Sequence, residues 1–397
     1  MRKFLVIILL LSPIISGCVV KRSSANIQTN NTINSVAKVD ESGKGEVYFQ
    51  LGKNEASLQK AVKWFIEAAN LGDTHAQTRL GEMYLKGKGV ESDYVRSAQW
   101  FRMAAASEIT LAQVQMGNFY RDGNGVDKNN ATALKWYKRA ANNGDVQGML
   151  ALGEMYKGWH GMRADFAKSL RWYEHAASLG SSEGTYQIGW LLVRNPDKQK
   201  NQFQALDTLY RAVKQGNVDA LTAIGDVYLE GRTGIRDIRL AMDYYRKAAT
   251  QKSALGAYKL AMVLAFDREK FRDHSQAVKW FTLAAEQGLP AAQYRLGRMY
   301  SDGYGVIRNS KQAAHWYLQA AENGVPAAQV KLADLYHAGH GVDRLIDHAI
   351  HWYTKAANQN NSYAQYMLSI LYRTGRGVSH DLAQGVAWQK KADSQNN

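Results

Sequence analysis

The 397-residue chain has one cysteine, four prolines and no apolar run of the roughly 20 residues that a membrane-spanning helix takes. With Cys18 alone, no disulfide contributes to stability. No GxGxxG or Gly-Lys-Ser/Thr loop is present to cradle a phosphate, so a nucleotide cofactor is not expected. No nucleic-acid recognition module is found either, and despite a formal net charge of +15 nucleic acid is not expected as a partner. What the chain does have is apolar surface to cover: 46% hydrophobic residues, with 22 tyrosines and ten tryptophans. Most of it is expected to fold.

The first residues read MRKFLVIILLLSPIISGCVV, with basic Arg2 and Lys3, about thirteen apolar residues and then small residues before the cysteine. Ile15-Ser16-Gly17-Cys18 resembles the bacterial lipobox. That resemblance implies a signal peptide over residues 1–17, cleavage before Cys18 and lipidation of Cys18. Val19 after the cysteine resembles sorting to the outer membrane, facing the periplasm. Cleavage removes Arg2 and Lys3 and lowers the charge to +13. Residues 18–44, polar and rich in Ser and Asn, read as a flexible tether; residues 45–397 read as the folded part.

Stepping by 36 residues from Trp64 meets Trp100, Trp136, Trp172, Thr208, Tyr244, Trp280, Trp316, Trp352 and Trp388. Alanine fills every position four residues later, as at Ala140, and a small residue every position three before, as at Ala133. Offsets of three and four share a helical face, so this is the second helix of a repeating unit, with the tryptophan expected to face the stack. An earlier helix shows in AQTRLGEMYLKG and AQYRLGRMYSDG, with small, aliphatic and tyrosine positions spaced by four. Connectors such as GKGV, GYGV and GHGV supply glycine for helix ends, and Pro290 and Pro326 stand where a helix opens. Two units depart, with Val193–Asn201 and Ala265–Phe271 in place of the glycine pair. A hairpin that cannot bury its own apolar stripe must stack on its neighbours.

LGxMYxxGxGV followed by AxxWYxxAAxxG resembles the Sel1-like repeat, a relative of the tetratricopeptide repeat, over about nine and a half units. The resemblance implies an all-α, right-handed superhelical solenoid and a non-enzymatic scaffold or adaptor with a protein or peptide in its concave groove. Lipoproteins of this family include scaffolds for exopolysaccharide export and factors used in host interaction. Other members are linked to β-lactam hydrolysis, and Ser57-Leu58-Gln59-Lys60 has the Ser-x-x-Lys spacing of penicillin-recognising enzymes. Those members carry a disulfide per repeat, however, and no Lys-Thr-Gly or Ser-Asp-Asn accompanies the motif here. Ser57 reads as a helix N-cap, and hydrolysis of a β-lactam or peptidoglycan fragment stands as the alternative function. His337, His340, His348 and His351 lack a completing carboxylate or cysteine, so no metal is expected.

Two surfaces remain as candidates. The second helices carry a basic column that includes Lys135, Arg139 and Arg171, suited to an anionic polysaccharide or acidic protein. The first helices carry Tyr186, Tyr258, Tyr294 and Tyr366, with Trp190, Met262, Arg298 and Ile370 one turn on. Thr78, Val114 and Leu150 in the tyrosine column leave a packing role open beside a binding one.

Overall fold

The structure, a computed structural model, describes residues 41–158, 162–194, 200–232, 236–266 and 271–394. The signal peptide, Cys18 and nearly all of the tether lie outside these residues, as does the middle of both atypical connectors. All regular elements among the described residues are helices, and none is long and apolar enough to cross a membrane.

Two compact units divide the chain after Ser181. The first holds α1 (Glu41–Asn54), α2 (Leu58–Asn70), α3 (Thr74–Lys86), α4 (Tyr94–Ala106), α5 (Thr110–Asp122), α6 (Asn130–Asn142), α7 (Val146–Tyr156) and α8 (Phe166–Ser178). The second holds α9 (Ser182–Arg194), α10 (Lys200–Lys214), α11 (Val218–Glu230), α12 (Ile238–Thr250), α13 (Ala254–Phe266), α14 (His274–Glu286), α15 (Pro290–Asp302), α16 (Ser310–Glu322), α17 (Pro326–Ala338), α18 (Ile346–Asn358), α19 (Ser362–Thr374) and α20 (Leu382–Asp393). Consecutive helices pair into hairpins, and within each unit the hairpins stack. The chain is an all-α solenoid of hairpins. Helix α1 starts four residues before position 45 and completes the first hairpin, so the described residues form ten hairpins rather than nine and a half.

Local chemistry sets the helix ends. Asp93, Asn129, Asp165, Asp273 and Asn309 accept the backbone N–H three residues on, opening second helices. Pro290 and Pro326 stand in the first turns of α15 and α17, as expected. First helices such as α3 and α15 end in left-handed glycines, Gly87 and Gly303. The second glycine of the connector has a further reason: a Cβ on Gly89 would stand 2.7 Å from the Leu58 carbonyl oxygen of the preceding hairpin. The loop therefore leans on its neighbour, and Val90, Val306 and Val342 follow into partly buried seats on the core.

The tryptophan column packs on the stack as expected, Trp100 and Trp136 against hydrophobic cores and Trp352 only 6% exposed, but it is not the most deeply buried column. Trp136, Trp172, Trp280 and Trp316 are half-buried, and the next residue fills the core: Phe101, Tyr137, Tyr245, Phe281 and Tyr353 are 0% exposed. Each ring lies on a small residue of its partner helix, where a Cβ on Gly81 or Gly297 would come within 2.8 or 2.7 Å of Phe101 or Tyr317. Both ring positions are aromatic in nearly every repeat, and a small seat, glycine or alanine as at Ala261 and Ala333, lies under the more buried one. A second feature escaped the sequence pattern: Gln77, Gln293, Gln329 and Gln365 are buried, and each donates from Nε2 to a carbonyl at the end of the preceding helix, Gln329 to Ala321 O at 3.1 Å. The signal was the repeated Ala-Gln pair.

Candidate functional site

Some first helices approach one another across the intervening helix, α5 with α7 in the first unit and α9 with α11 and α11 with α13 in the second. Their exposed edges therefore lie side by side. Tyr258 and Tyr294 sit on that edge half-buried, 5.9 Å from Phe281 and 5.9 Å from Tyr317, so both pack and present a face. Tyr366 is 47% exposed and more fully available. Tyr186 is half-buried; burial, then Asp219, Glu183 and Asp226, pushes its phenol above the ordinary range. The Arg194 guanidinium lies 4.2 Å from the centre of the Trp190 ring.

The same edge carries an acidic component that sequence reasoning passed over. In the column of Trp190, Met262, Arg298 and Ile370 stand Glu154, Asp226 and Asp334. Each accepts a core tyrosine hydroxyl: Tyr173 to Glu154 at 3.0 Å, Tyr245 to Asp226 at 2.6 Å and Tyr353 to Asp334 at 2.7 Å. Asp226 also pairs with Lys259 at 3.1 Å. These carboxylates are held in place from the core and half exposed at the edge.

The basic face is thinner than its residue list. Arg139 is no free cation: it pairs with Glu108 of the preceding hairpin and lies over Trp136. Hydrogen bonds from Arg139, then Asn143 and Gln113, hold the Glu108 carboxyl down at about 2. Arg96 and Lys168 pair with Asp93 and Asp165 at 3.3 and 2.9 Å. Lys355 and Lys391 stack on Trp352 and Trp388 at 4.5 and 4.3 Å. Lys63, Lys135, Arg171 and Lys279 remain exposed, with no ion pair among the described residues.

Ser57 precedes α2, but its side chain makes no cap bond; its hydroxyl instead lies 3.2 Å from Gln59 Oε1. Among the described residues no group of three or more His, Cys, Asp or Glu side chains is placed to hold a metal. The histidines serve as ring neighbours, His348 to Tyr336 at 5.2 Å and His351 to Trp352 at 5.1 Å.

Cavities open at hairpins whose connectors lack Gly-x-Gly-Val. One of about 440 Å³ lies among α13, α14 and α15. Another of about 430 Å³ lies among α1, α2 and α3, with Phe49, Leu58, Phe65, Arg79 and Met83 at the repeat positions of Ala265, His274, Phe281, Arg295 and Met299. A third, of about 30 Å³, has Val193, Ala223 and Asp226 at the positions of Ala265, Arg295 and Arg298.

Stacked amphipathic hairpins with exposed edges define the class of helical-repeat scaffold proteins. More specifically, the chain belongs to the Sel1 repeat family, whose model matches residues 47–73, 74–108, 110–145, 146–181, 218–253, 254–289, 290–325, 326–361 and 362–397. The unmatched stretch 182–217 is one of the two units that depart from the pattern. Among solved structures, the chain is similar to a protective antigen of uropathogenic Escherichia coli strains with an SLR fold, at 26% identity, covering 92% of this chain and 86% of that one, TM-score 0.51. It is also similar to a Sel1 repeat protein from Oxalobacter formigenes, at 28% identity, covering 82% of this chain and 93% of that one, TM-score 0.53. The comparison with curated proteins finds no match.

Proposed function

We propose that this chain is a non-enzymatic scaffold that holds a protein or peptide segment along the edge of its first helices, at a bacterial cell envelope. The observation that carries the reading is that edge itself, where Tyr258, Tyr294 and Tyr366 alternate with carboxylates anchored by core tyrosines. Amphipathic aromatics beside fixed polar groups suit a polar segment with apolar anchors. Exposed cations such as Lys63, Lys135 and Arg171 offer an anionic polysaccharide or acidic protein a second contact on the opposite helices.

Lipidation at Cys18 would tether the solenoid to the outer membrane, facing the periplasm, with the polar segment after Cys18 giving it reach. That the Escherichia coli relative is a protective antigen is in keeping with an envelope protein. Crosslinking in intact cells tests the scaffold. The triple variant Tyr258→Ala, Tyr294→Ala, Tyr366→Ala is expected to lose proteins that the parent chain captures, whereas charge reversal at Lys135 and Arg171 is expected to retain them. Retention by the tyrosine variant would move the binding surface elsewhere. Cys18→Ala is expected to abolish acyl labelling and shift the protein out of the membrane fraction; unchanged fractionation would overturn the anchor.

A further inference from the structure

The cavity among α13, α14 and α15 meets the first-helix edge at Arg298, but the proposal for it does not rest on the scaffold reading. Its floor is apolar: Phe281 is fully buried, and Ala265 and Met299 are nearly so. Its rim is cationic. Among the described residues Arg272, Arg295 and Arg298 line it against one carboxylate, Asp302, which lies 3.6 Å from Arg298. Arg272 and Arg295 have no ion pair among the described residues, and Arg295 is held over the Phe266 ring at 5.1 Å. His274 also lines the cavity, and its Nδ1 is buried with no hydrogen-bond partner among the described residues.

Size and charge both point to a ligand. About 440 Å³ falls within the range of small-molecule sites, and a guanidinium fork matches a planar oxyanion in two-point geometry. Apolar walls beside the arginines lower the local dielectric and strengthen the attraction. The two equivalent cavities lack this balance: one sets Arg194 and Arg232 against Asp226 and Glu230, and the other has Lys53 and Arg79 with Glu55. Cationic excess is therefore a property of this cavity, and is not imposed by the repeat. We propose that it binds an oxyanion carried on an apolar body, a carboxylate or phosphate attached to a group the size of an aromatic ring.

Calorimetric titration of the full chain at low ionic strength tests this with N-acetyl-L-phenylalanine, its uncharged amide and phenyl phosphate. At least one of the two anions is expected to bind in the submillimolar range, and the amide roughly tenfold or more weaker. Tighter binding of N-acetyl-L-phenylalanine names a carboxylate source such as a chain terminus; tighter phenyl phosphate names a phosphate. Arg272→Met and Arg295→Met are each expected to weaken the anion by about tenfold while the unfolding midpoint stays in place, and Arg308→Met, exposed on the next connector, to leave it unchanged. Equal binding of acid and amide, variants that bind like the parent chain, or no binding of either anion by about 1 mM would each overturn the proposal.

Discussion

Two neighbouring hairpins, α15–α16 and α13–α14, share their core and differ in their connectors. Leu296 and Leu260 are both 0% exposed, and Tyr317 and Phe281 fill the same seat. In α15–α16, Gly303 and Gly305 turn the chain back onto the α14 start, and Val306 packs on the core. In α13–α14 the sequence Phe266-Asp267-Arg268-Glu269-Lys270-Phe271 has no glycine or valine, and a cavity of about 440 Å³ lies among α13, α14 and α15, lined by Phe266 and Arg272. The contrast shows two separable layers of the repeat. Helix-face residues hold the stack, while Gly-x-Gly-Val closes the joint between hairpins; a repeat that loses the second keeps the first.

The largest expected effect comes from forcing a side chain into a regular joint. Gly341 has φ 76° and its Cβ would strike the Ser310 backbone, so Gly341→Ala is expected to cost roughly 2–4 kcal/mol from strain and overpacking, read as a lower urea midpoint. Arg272→Ala, beside the open joint, is expected to change stability by less than about 0.5 kcal/mol. Equal losses would erase the distinction between the joints. Gln329→Met comes next: it removes the side-chain bond to the Ala321 carbonyl, which still accepts from Gly324 N–H, and the bond that Gln329 accepts from Gln359, and is expected to cost about 0.5–1.5 kcal/mol by the same measurement. The α13 equivalent, Ala257, never had this bond, so a cost near zero in α17 would mean that the glutamine column adds nothing to the regular hairpins.

The smallest effect concerns the tie between α6 and the α4–α5 turn. The Glu108 carboxyl is depressed from 4.5 to about 2, so its contribution to stability is fully present above about 4.5 and is lost as pH falls through about 2. Carbon NMR titration of Glu108 is expected to give a midpoint near 2, returning toward 4.5 in Arg139→Gln. A Glu108 midpoint unmoved by Arg139→Gln would leave Arg139 free for an outside partner after all.

Much of this was readable in advance. Invariant spacing gave the hairpin, its length and its glycine and proline punctuation, because each follows from local backbone preference and helical period. The atypical connectors at 193–201 and 265–271 stood out for the same reason. Tyr258 and Tyr294 were picked from one edge of the first helices, and both are half-buried there beside Phe281 and Tyr317. Sequence reasoning failed to rank two chemically similar neighbours, Trp136 and Tyr137: both columns are aromatic in nearly every repeat, and the more deeply buried ring is the one seated on Gly117 of another helix. It failed again at Arg139, whose partner Glu108 lies in a different hairpin.

The sequence by itself therefore determined the class of fold, the repeat length and the residues available at each surface, since those depend on periodicity along one chain. Tertiary structure alone decided which aromatic lies deeper in the core, which cations are already paired and where the joints stay open. Those outcomes depend on distances between side chains of different helices, which spacing along the chain does not encode.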